Sequence, residues 1–207
     1  PGLTLMTKTK SINSKTGKIF DALATGQKLV AMAPEDAEAH SNLGNTLKDL
    51  GRLEEAEASF RQAIEINPGF AEAHSNLGNT LNDLGRLEEA EESCEKAIEI
   101  KPNLAEAHSN LGNTLNDLGR LEAAEESYAQ AIEIKPDFAE AYNNLGNTLN
   151  DLGRLEEAEK SYTQAIEIKP DFAEAHSNLG NTLNDLGRLE EAEKSCKKAI
   201  ALQPNYA

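Results

Sequence analysis

The sequence contains no tryptophan and only two cysteines, and aromatic residues account for 4% of its 207 residues. Large aromatic side chains bury the most area per residue, so a conventional globular core is difficult to fill without them. Alanine, leucine, asparagine and glutamate recur along the chain instead. This composition favours helices that approach one another closely through small side chains.

Positive charge is also scarce. Lysine and arginine total 20 against 36 aspartates and glutamates, which gives a net charge of −16. An acidic surface repels the phosphates of nucleic acids and of anionic membranes, so we expect neither as a partner. The charge is typical of a solvated surface, or it indicates a preference for basic or neutral partners.

Long apolar runs are missing as well. None approaches the roughly 18 residues of a transmembrane helix, and residues 1–18 lack the continuous apolar segment of a secretory signal. A cytoplasmic location is therefore the expectation. Because the chain begins with Pro1 rather than methionine, we also expect it to be a fragment without its targeting information.

A block of eleven letters, AEAHSNLGNTL, recurs with a spacing of 34 residues. It begins at Ala37, Ala71, Ala105 and Ala173, and as the variant AEAYNNLGNTL at Ala139. With each of these alanines as position 1, the blocks define five repeats over residues 37–70, 71–104, 105–138, 139–172 and 173–206. Residues 1–36 form a degenerate repeat in the same register, with a helix at about 17–33.

Each repeat predicts two helices. Apolar residues at positions 3, 7, 11 and 14 follow helical spacing, and glycine at position 15 is typical of a helix C-terminus. A second apolar stripe runs from position 17 to position 31, where proline at position 32 ends it. Small residues at positions 8, 20 and 27 mark close approaches between helices. One helix pair cannot bury its own apolar face, so the repeats are expected to stack.

This pattern resembles the tetratricopeptide repeat family, whose 34-residue repeats carry Leu at position 7, Gly at 8, Ala at 20 and 27, an aromatic residue at 24 and Pro at 32. The resemblance implies an all-α, right-handed α-solenoid: one continuous superhelix of stacked antiparallel helix pairs. It also implies that the first helices line a concave groove. Two departures, His or Tyr for Trp at position 4 and Cys94 and Cys196 at position 24, are expected to loosen the packing locally.

No catalytic, metal or cofactor site is predicted. Position-4 histidines of neighbouring repeats are expected about 10 Å apart, which is too far for them to share a zinc ion. Cys94 and Cys196 lie three repeats apart, so we expect two free, buried thiols. No pairing of a nucleophile with a base, phosphate loop or calcium loop is visible, so the chain is not expected to be an enzyme.

The polar side of the first helix carries asparagine at positions 6, 9 and 12, although asparagine is a poor helix former. Its amide offers an acceptor and two donors, which match the backbone of an extended peptide. We therefore predict a peptide-binding groove lined by Asn42, Asn45, Asn76, Asn79, Asn82, Asn110, Asn113, Asn116, Asn144, Asn147, Asn150, Asn178, Asn181 and Asn184. The position-6 residues of this set resemble the asparagine ladder in the repeat region of O-linked N-acetylglucosamine transferases. Alternatively, duplication copied one asparagine indiscriminately.

The sequence thus predicts a protein–protein interaction module that binds an extended peptide or a partner protein. Two alternatives stay open: a substrate-recruiting arm of a larger enzyme, such as a glycosyltransferase, and an architectural scaffold. The last second helix keeps an interior stripe at Ala192, Cys196, Ala199 and Ile200. Because no capping helix follows that stripe, we expect further repeats or self-association at the C-terminal end.

Overall fold

The computed structural model describes residues 18–203, and every regular element in that range is an α-helix. Helix α1 covers residues 18–32. Five helix pairs follow, formed by α2 (Ala37–Asp49) and α3 (Leu53–Ile66), α4 (Ala71–Asp83) and α5 (Leu87–Ile100), α6 (Ala105–Asp117) and α7 (Leu121–Ile134), α8 (Ala139–Asp151) and α9 (Leu155–Ile168), and α10 (Ala173–Asp185) and α11 (Leu189–Leu202). The predicted all-α class is confirmed. Residue 17, where the first helix was expected to begin, and residues 204–206 of the last repeat lie outside the described range.

Contacts divide the chain into two compact units, Pro1–Pro102 and Asn103–Ala207. In the first unit, α3 packs against α2 and α4, and α4 packs against α5. In the second unit, α6 to α11 pack in the same consecutive way. Each pair therefore buries its apolar face against a neighbour, as expected for repeats that cannot form a core alone.

The turn within each pair depends on glycine at position 15. Gly51 has a φ of +72°, in the left-handed region that glycine adopts without strain. Its N–H donates to the Lys48 carbonyl at 2.8 Å, and the Arg52 N–H donates to the Leu47 carbonyl at 2.9 Å. These two bonds form a Schellman motif, which satisfies the carbonyls at the end of the first helix. The predicted helix stop is confirmed.

The two helices of a pair come closest at position 8. A Cβ atom at Gly146 would lie 2.5 Å from the ring of Tyr162, and one at Gly44 would lie 2.7 Å from the ring of Phe60. Real Cβ atoms do not approach a neighbour so closely, so the ring at position 24 occupies the space that a side chain at position 8 would need. The predicted close approach is therefore confirmed.

Arginine at position 16 connects successive pairs. Arg86 donates through Nε and Nη2 to the two carboxylate oxygens of Glu89 at 2.7 and 2.5 Å, and through Nη1 to Glu57 of the preceding pair at 2.7 Å. Arg154 and Arg188 repeat the arrangement in the second unit. Isolated surface ion pairs contribute little, but the planar guanidinium here holds two carboxylates in a fixed geometry.

We expect Gly146→Ala to lower the free energy of unfolding by about 1–3 kcal/mol, because its methyl group overlaps a buried ring. Gly153→Ala isolates a different cost. Apart from its chain neighbours, no described residue has an atom within 4 Å of its Cβ position, but a φ of +74° strains an L-residue by roughly 1–2 kcal/mol. Urea unfolding followed by circular dichroism measures both. An unchanged unfolding midpoint for Gly146→Ala would contradict the close approach.

The Glu57 carboxylate is expected to make stability depend on pH. Burial raises its pKa, but hydrogen bonds from Arg61 and Arg86 outweigh that effect and hold the pKa below its usual value of 4.5. Such a group stabilises the fold above the unfolded pKa, and its contribution is lost as the pH falls through the folded pKa. The melting temperature should therefore decrease as the pH is lowered below about 4.5.

Glu57→Gln should lower the melting temperature at pH 7 and weaken its decline in acid. Glu65→Gln is the matched control, because Glu65 is exposed on the same helix and makes no ion pair within residues 18–203. Thermal scans by circular dichroism at a series of pH values compare the two variants. Identical pH profiles for both would argue against the Glu57 contribution.

Candidate peptide-binding face

The first helices of neighbouring pairs lie side by side, whereas the second helices are separated. In the second unit α8 contacts both α6 and α10, and in the first unit α2 contacts α4. No Cα atom of α7 lies within 8 Å of a Cα atom of α9, and the same holds for α9 and α11. Side chains at positions 6, 9 and 12 therefore meet across neighbouring first helices. We call the surface that they form the first-helix face.

In the second unit, the asparagines at positions 6 and 9 bond to each other across adjacent pairs. Asn144 Nδ2 donates to Asn113 Oδ1 at 2.9 Å, and Asn178 Nδ2 donates to Asn147 Oδ1 at 2.9 Å. All four side chains are half-buried. Such a bond stabilises a fold by about 0.5–1.5 kcal/mol. The asparagines of the second unit thus hold the repeats together before any ligand binds.

Tyrosine at position 24 supplies a second bond to the same acceptors. The Tyr128 hydroxyl donates to Asn113 Oδ1 at 2.7 Å, and the Tyr162 hydroxyl donates to Asn147 Oδ1 at 2.8 Å. Burial raises the pKa of both tyrosines. Each hydroxyl therefore stays protonated at neutral pH and fixes the orientation of an asparagine amide.

The first unit has no such hydroxyl group in its first pair. Phe60 holds position 24 there and packs on Gly44 just as the tyrosines pack on their glycines. Asn45 is exposed, Asn76 is half-buried, and no hydrogen bond joins these two side chains, although both residues are described. The comparison indicates that the tyrosine hydroxyl orders the asparagine pair.

Asparagines at position 12 are bonded by threonine at position 10 of the next first helix. Thr148 Oγ1 donates to Asn116 Oδ1 at 3.0 Å, and Thr182 Oγ1 donates to Asn150 Oδ1 at 3.4 Å. Sequence reasoning did not include the threonines or the tyrosines in the site. For the threonines, a signal was present in the sequence, because threonine occupies position 10 in all five repeats.

A residue that differs between repeats also joins the network. Asn143, which replaces serine at position 5, is 1% exposed. Its Nδ2 donates to Glu174 Oε1 at 3.0 Å, and its Oδ1 accepts a bond from Asn178 Nδ2 at 3.1 Å. This burial between α8 and α10 gives Asn143 a packing role and places it out of reach of a ligand.

The fourteen predicted site residues differ in exposure. Four of them are exposed: Asn42, Asn45, Asn181 and Asn184. The others are half-buried: Asn76, Asn79, Asn82, Asn110, Asn113, Asn116, Asn144, Asn147, Asn150 and Asn178. Within each unit, the fold therefore places these asparagines on the first-helix face, but they differ in how far they are exposed to solvent. Their role in binding a peptide stays a prediction.

The network leaves donors available at position 9. Asn113 and Asn147 each accept two bonds through Oδ1, but their Nδ2 atoms make no bond within the described residues. Among those residues, no buried side-chain nitrogen or oxygen lacks a partner, so both Nδ2 atoms are reached by solvent. Each carries two hydrogens. The first-helix face thus presents fixed donors.

The position-4 histidines have partners in the backbone. Nε2 of His40, His74 and His176 bonds a proline carbonyl at 3.0 or 3.1 Å. Within residues 18–203, no group of three or more His, Cys, Asp or Glu residues is placed to hold a metal ion. Both cysteines are free, as predicted. Burial raises the pKa of Cys94 to about 12, but Cys196 is only half-buried, so its predicted burial is wrong.

The apolar stripe of α11 is less exposed than the sequence indicates. Ala192 is 6% exposed and Ala199 is 3% exposed, because both face α10, whereas Ile200 is 49% exposed. Self-association through this end stays a prediction. In the same described range, no helix combines the length and the apolar character that crossing a bilayer requires.

Stacked pairs of this length define an α-helical repeat protein. Family profiles described as tetratricopeptide or TPR repeats match residues 37–70, 69–137, 127–160, 146–187 and 173–206. The chain belongs to the tetratricopeptide repeat family. Among curated proteins, none matches it significantly.

Several solved structures have the same fold. MamA shares 28% identity over 78% of this chain and 95% of its own, with a TM-score of 0.67. YrrB, described as a TPR protein with an unusual peptide-binding site, shares 28% identity over 89% of this chain and 95% of its own, with a TM-score of 0.62. TTC0263, a thermophilic TPR protein in Thermus thermophilus, shares 27% identity over 82% of this chain and 93% of its own, with a TM-score of 0.73.

We expect Tyr162→Phe to lower the free energy of unfolding by about 0.5–1.5 kcal/mol, because Asn147 loses one of its two bonds. The ring itself fits, since Phe60 holds the equivalent place in the first pair. Phe60→Tyr is the reverse change and should stabilise the first unit by ordering Asn45. Urea denaturation measures both variants. Equal stabilities for Tyr162→Phe and the unmodified protein would show that the hydroxyl bond contributes nothing.

Proposed function

We propose that the chain is a protein-interaction module that binds an extended segment of a partner protein on the first-helix face. The observation that carries this proposal is the pair of solvent-reached Nδ2 groups on Asn113 and Asn147. Each is held in place through its own Oδ1 by a tyrosine hydroxyl and a neighbouring amide. Donors that are already oriented lose little conformational entropy when a carbonyl group binds to them.

The spacing of the repeats suits an extended peptide. Equivalent positions on neighbouring first helices are about 8–10 Å apart. A peptide in the polyproline II conformation covers that distance with one turn of three residues, at roughly 3.1 Å per residue. Because every third carbonyl then points to the same side, successive position-9 amides can meet every third carbonyl of the peptide. Bonds to the backbone make the binding tolerant of the peptide's side chains.

Acidic residues border the donors. Asp151 and Asp185, at position 13, are exposed at the ends of α8 and α10. Glu140, at position 2, is paired with Lys169 at 2.8 Å. Neither aspartate makes an ion pair with a residue in the described range, so both favour a neutral or basic segment over an acidic one. The peptide-binding site named for YrrB supports a peptide as the type of ligand.

Two other readings use the same surface. A substrate-recruiting arm of a larger enzyme, such as a glycosyltransferase, would present the first-helix face to the substrates of a separate catalytic domain. An architectural scaffold would assemble with further copies, and sedimentation at rising protein concentration tests for it. We assign no catalytic step to the chain itself.

The test begins with linear peptides that the intact protein selects from a displayed random library. Asn113→Asp combined with Asn147→Asp keeps the Oδ acceptors for the tyrosines and the neighbouring amides, but removes both free donors. We expect the affinity for the selected peptide to fall about two- to tenfold for each lost bond. Isothermal titration calorimetry measures the affinity, and the melting temperature should change little.

A matched control separates lost donors from added charge. Gln62→Glu combined with Gln130→Glu adds two negative charges on exposed positions of second helices. This variant should bind the selected peptide with unchanged affinity. Equal losses in both variants would show that charge explains the effect, and unchanged affinity in both would rule out the first-helix face as the site.

A further inference from the structure

The five helix pairs differ from one another mainly on their second helices. Along the first helix only positions 4, 5 and 12 vary, each in a single repeat. Position 25 instead holds a different residue in every repeat, namely Arg61, Glu95, Ala129, Thr163 and Lys197. Positions 22 and 26 also change charge between repeats. The copies have therefore diverged on the second helices and stayed nearly uniform on the first.

In the second unit, these variable positions border a groove. It lies between α9 and α11, and α10 forms its floor. Leu179 from α10 and Ile166 from α9 are half-buried and give the groove its apolar surface, whereas Leu183 is only 3% exposed. The groove has a volume of about 740 Å³, within the range of sites that bind ligands in proteins.

Lysines of α11 form one rim of this groove. Lys194, Lys197 and Lys198 line it, and Lys194 and Lys198 make no ion pair with any described residue. Three glutamates also line the groove. Of these, Glu159 and Glu191 are paired with Arg188, and Glu167 accepts a hydrogen bond from Gln164. Ala201 extends the rim at position 29, where the other four repeats have glutamate. The chain as a whole carries a charge of −16 and repels acidic segments, so the local lysines direct such a segment to this rim.

The equivalent groove of the first unit carries glutamates at the rim positions where α11 carries lysine or alanine, although Arg61 and Lys96 also line it. Its floor contains Leu77 and Leu81, and its volume is about 720 Å³. Glu92, Glu95 and Glu99 hold the rim positions 22, 25 and 29. The shape of the groove is therefore repeated while the charge at rim positions 22 and 25 is reversed. The groove of the first unit thus serves as an internal control, because it has a similar volume but carries glutamates on the equivalent rim.

We propose that the groove between α9 and α11 docks an acidic amphipathic helix of a partner protein. Apolar side chains spaced three and four residues apart on that helix pack against Leu179 and Ile166. Its carboxylates face Lys194 and Lys198. The walls of the groove are second helices, and α10 forms its floor without any of its asparagines, so its ligand does not depend on the asparagine donors.

A repeat swap provides the test. Lys194→Glu, Lys197→Glu and Ala201→Glu give the last repeat the rim of the second repeat, which accommodates those residues at the same positions. The probe is a fluorescein-labelled synthetic helix with leucine along one face and glutamate elsewhere, and fluorescence anisotropy reports its binding. We expect the swap to weaken binding at least tenfold. The reverse swap, Glu92→Lys, Glu95→Lys and Glu99→Ala, should create a second binding site.

Controls separate docking from charge attraction and from the proposed function. Lys28→Glu changes the charge on α1, which does not line the groove, and is compared with Lys194→Glu alone. A peptide of identical composition with scattered leucines should bind at least tenfold more weakly than the probe. The Asn113→Asp, Asn147→Asp variant should bind the probe with unchanged affinity. No binding of the probe by the unmodified protein, equal binding after the swap, or equal binding of the scattered peptide would each overturn the proposal.

Discussion

The missing side chain at position 8 is the constraint on which the rest of the structure depends. Because Gly146 has no Cβ, the ring of Tyr162 lies directly against α8, and its hydroxyl reaches Asn147, the next residue along the helix. A larger residue at position 8 would push the ring away and break that bond. The packing of a helix pair and the orientation of its surface amide are therefore two results of one contact. This coupling lets a short, locally encoded motif define both a fold and a candidate site.

Rules that act within one helix pair made most of the fold predictable. Helical periodicity, glycine at position 15 and proline at position 32 are read directly from the sequence, and Gly51 has the expected left-handed backbone. The asparagine network was not predictable in the same way. It depends on the lateral distance between the first helices of neighbouring repeats, which allows Asn144 to bond to Asn113. Sequence reasoning treated tyrosine and phenylalanine at position 24 as equivalent packing residues, because the hydroxyl acquires a role only beside an asparagine on the facing helix.

The network also bears on why asparagine recurs. Copying by duplication explains the presence of the same residue in five repeats, but it does not explain the paired geometry in the second unit. Asn178 donates to both Asn147 and Asn143, so its amide serves two neighbours on α8. In the first pair, where Phe60 offers no hydroxyl, Asn45 is exposed and unbonded to Asn76. The asparagines thus have a structural role that varies between repeats, and the donors they leave free vary with it.

The two surfaces of a helix pair suit different kinds of recognition for a geometric reason. First helices lie side by side, so their side chains interlock, and asparagine recurs at positions 6 and 9 in all five repeats. A recurring amide group suits contacts with a peptide backbone, which is the same in every sequence, better than discrimination among side chains. Second helices stand apart, so grooves open between them, and residues on their rims change without disturbing the core beneath. Lys194 and Glu92 occupy equivalent positions with opposite charge. Selectivity between partners can therefore arise on the second helices at little cost to the stability that the first helices and the buried rings provide.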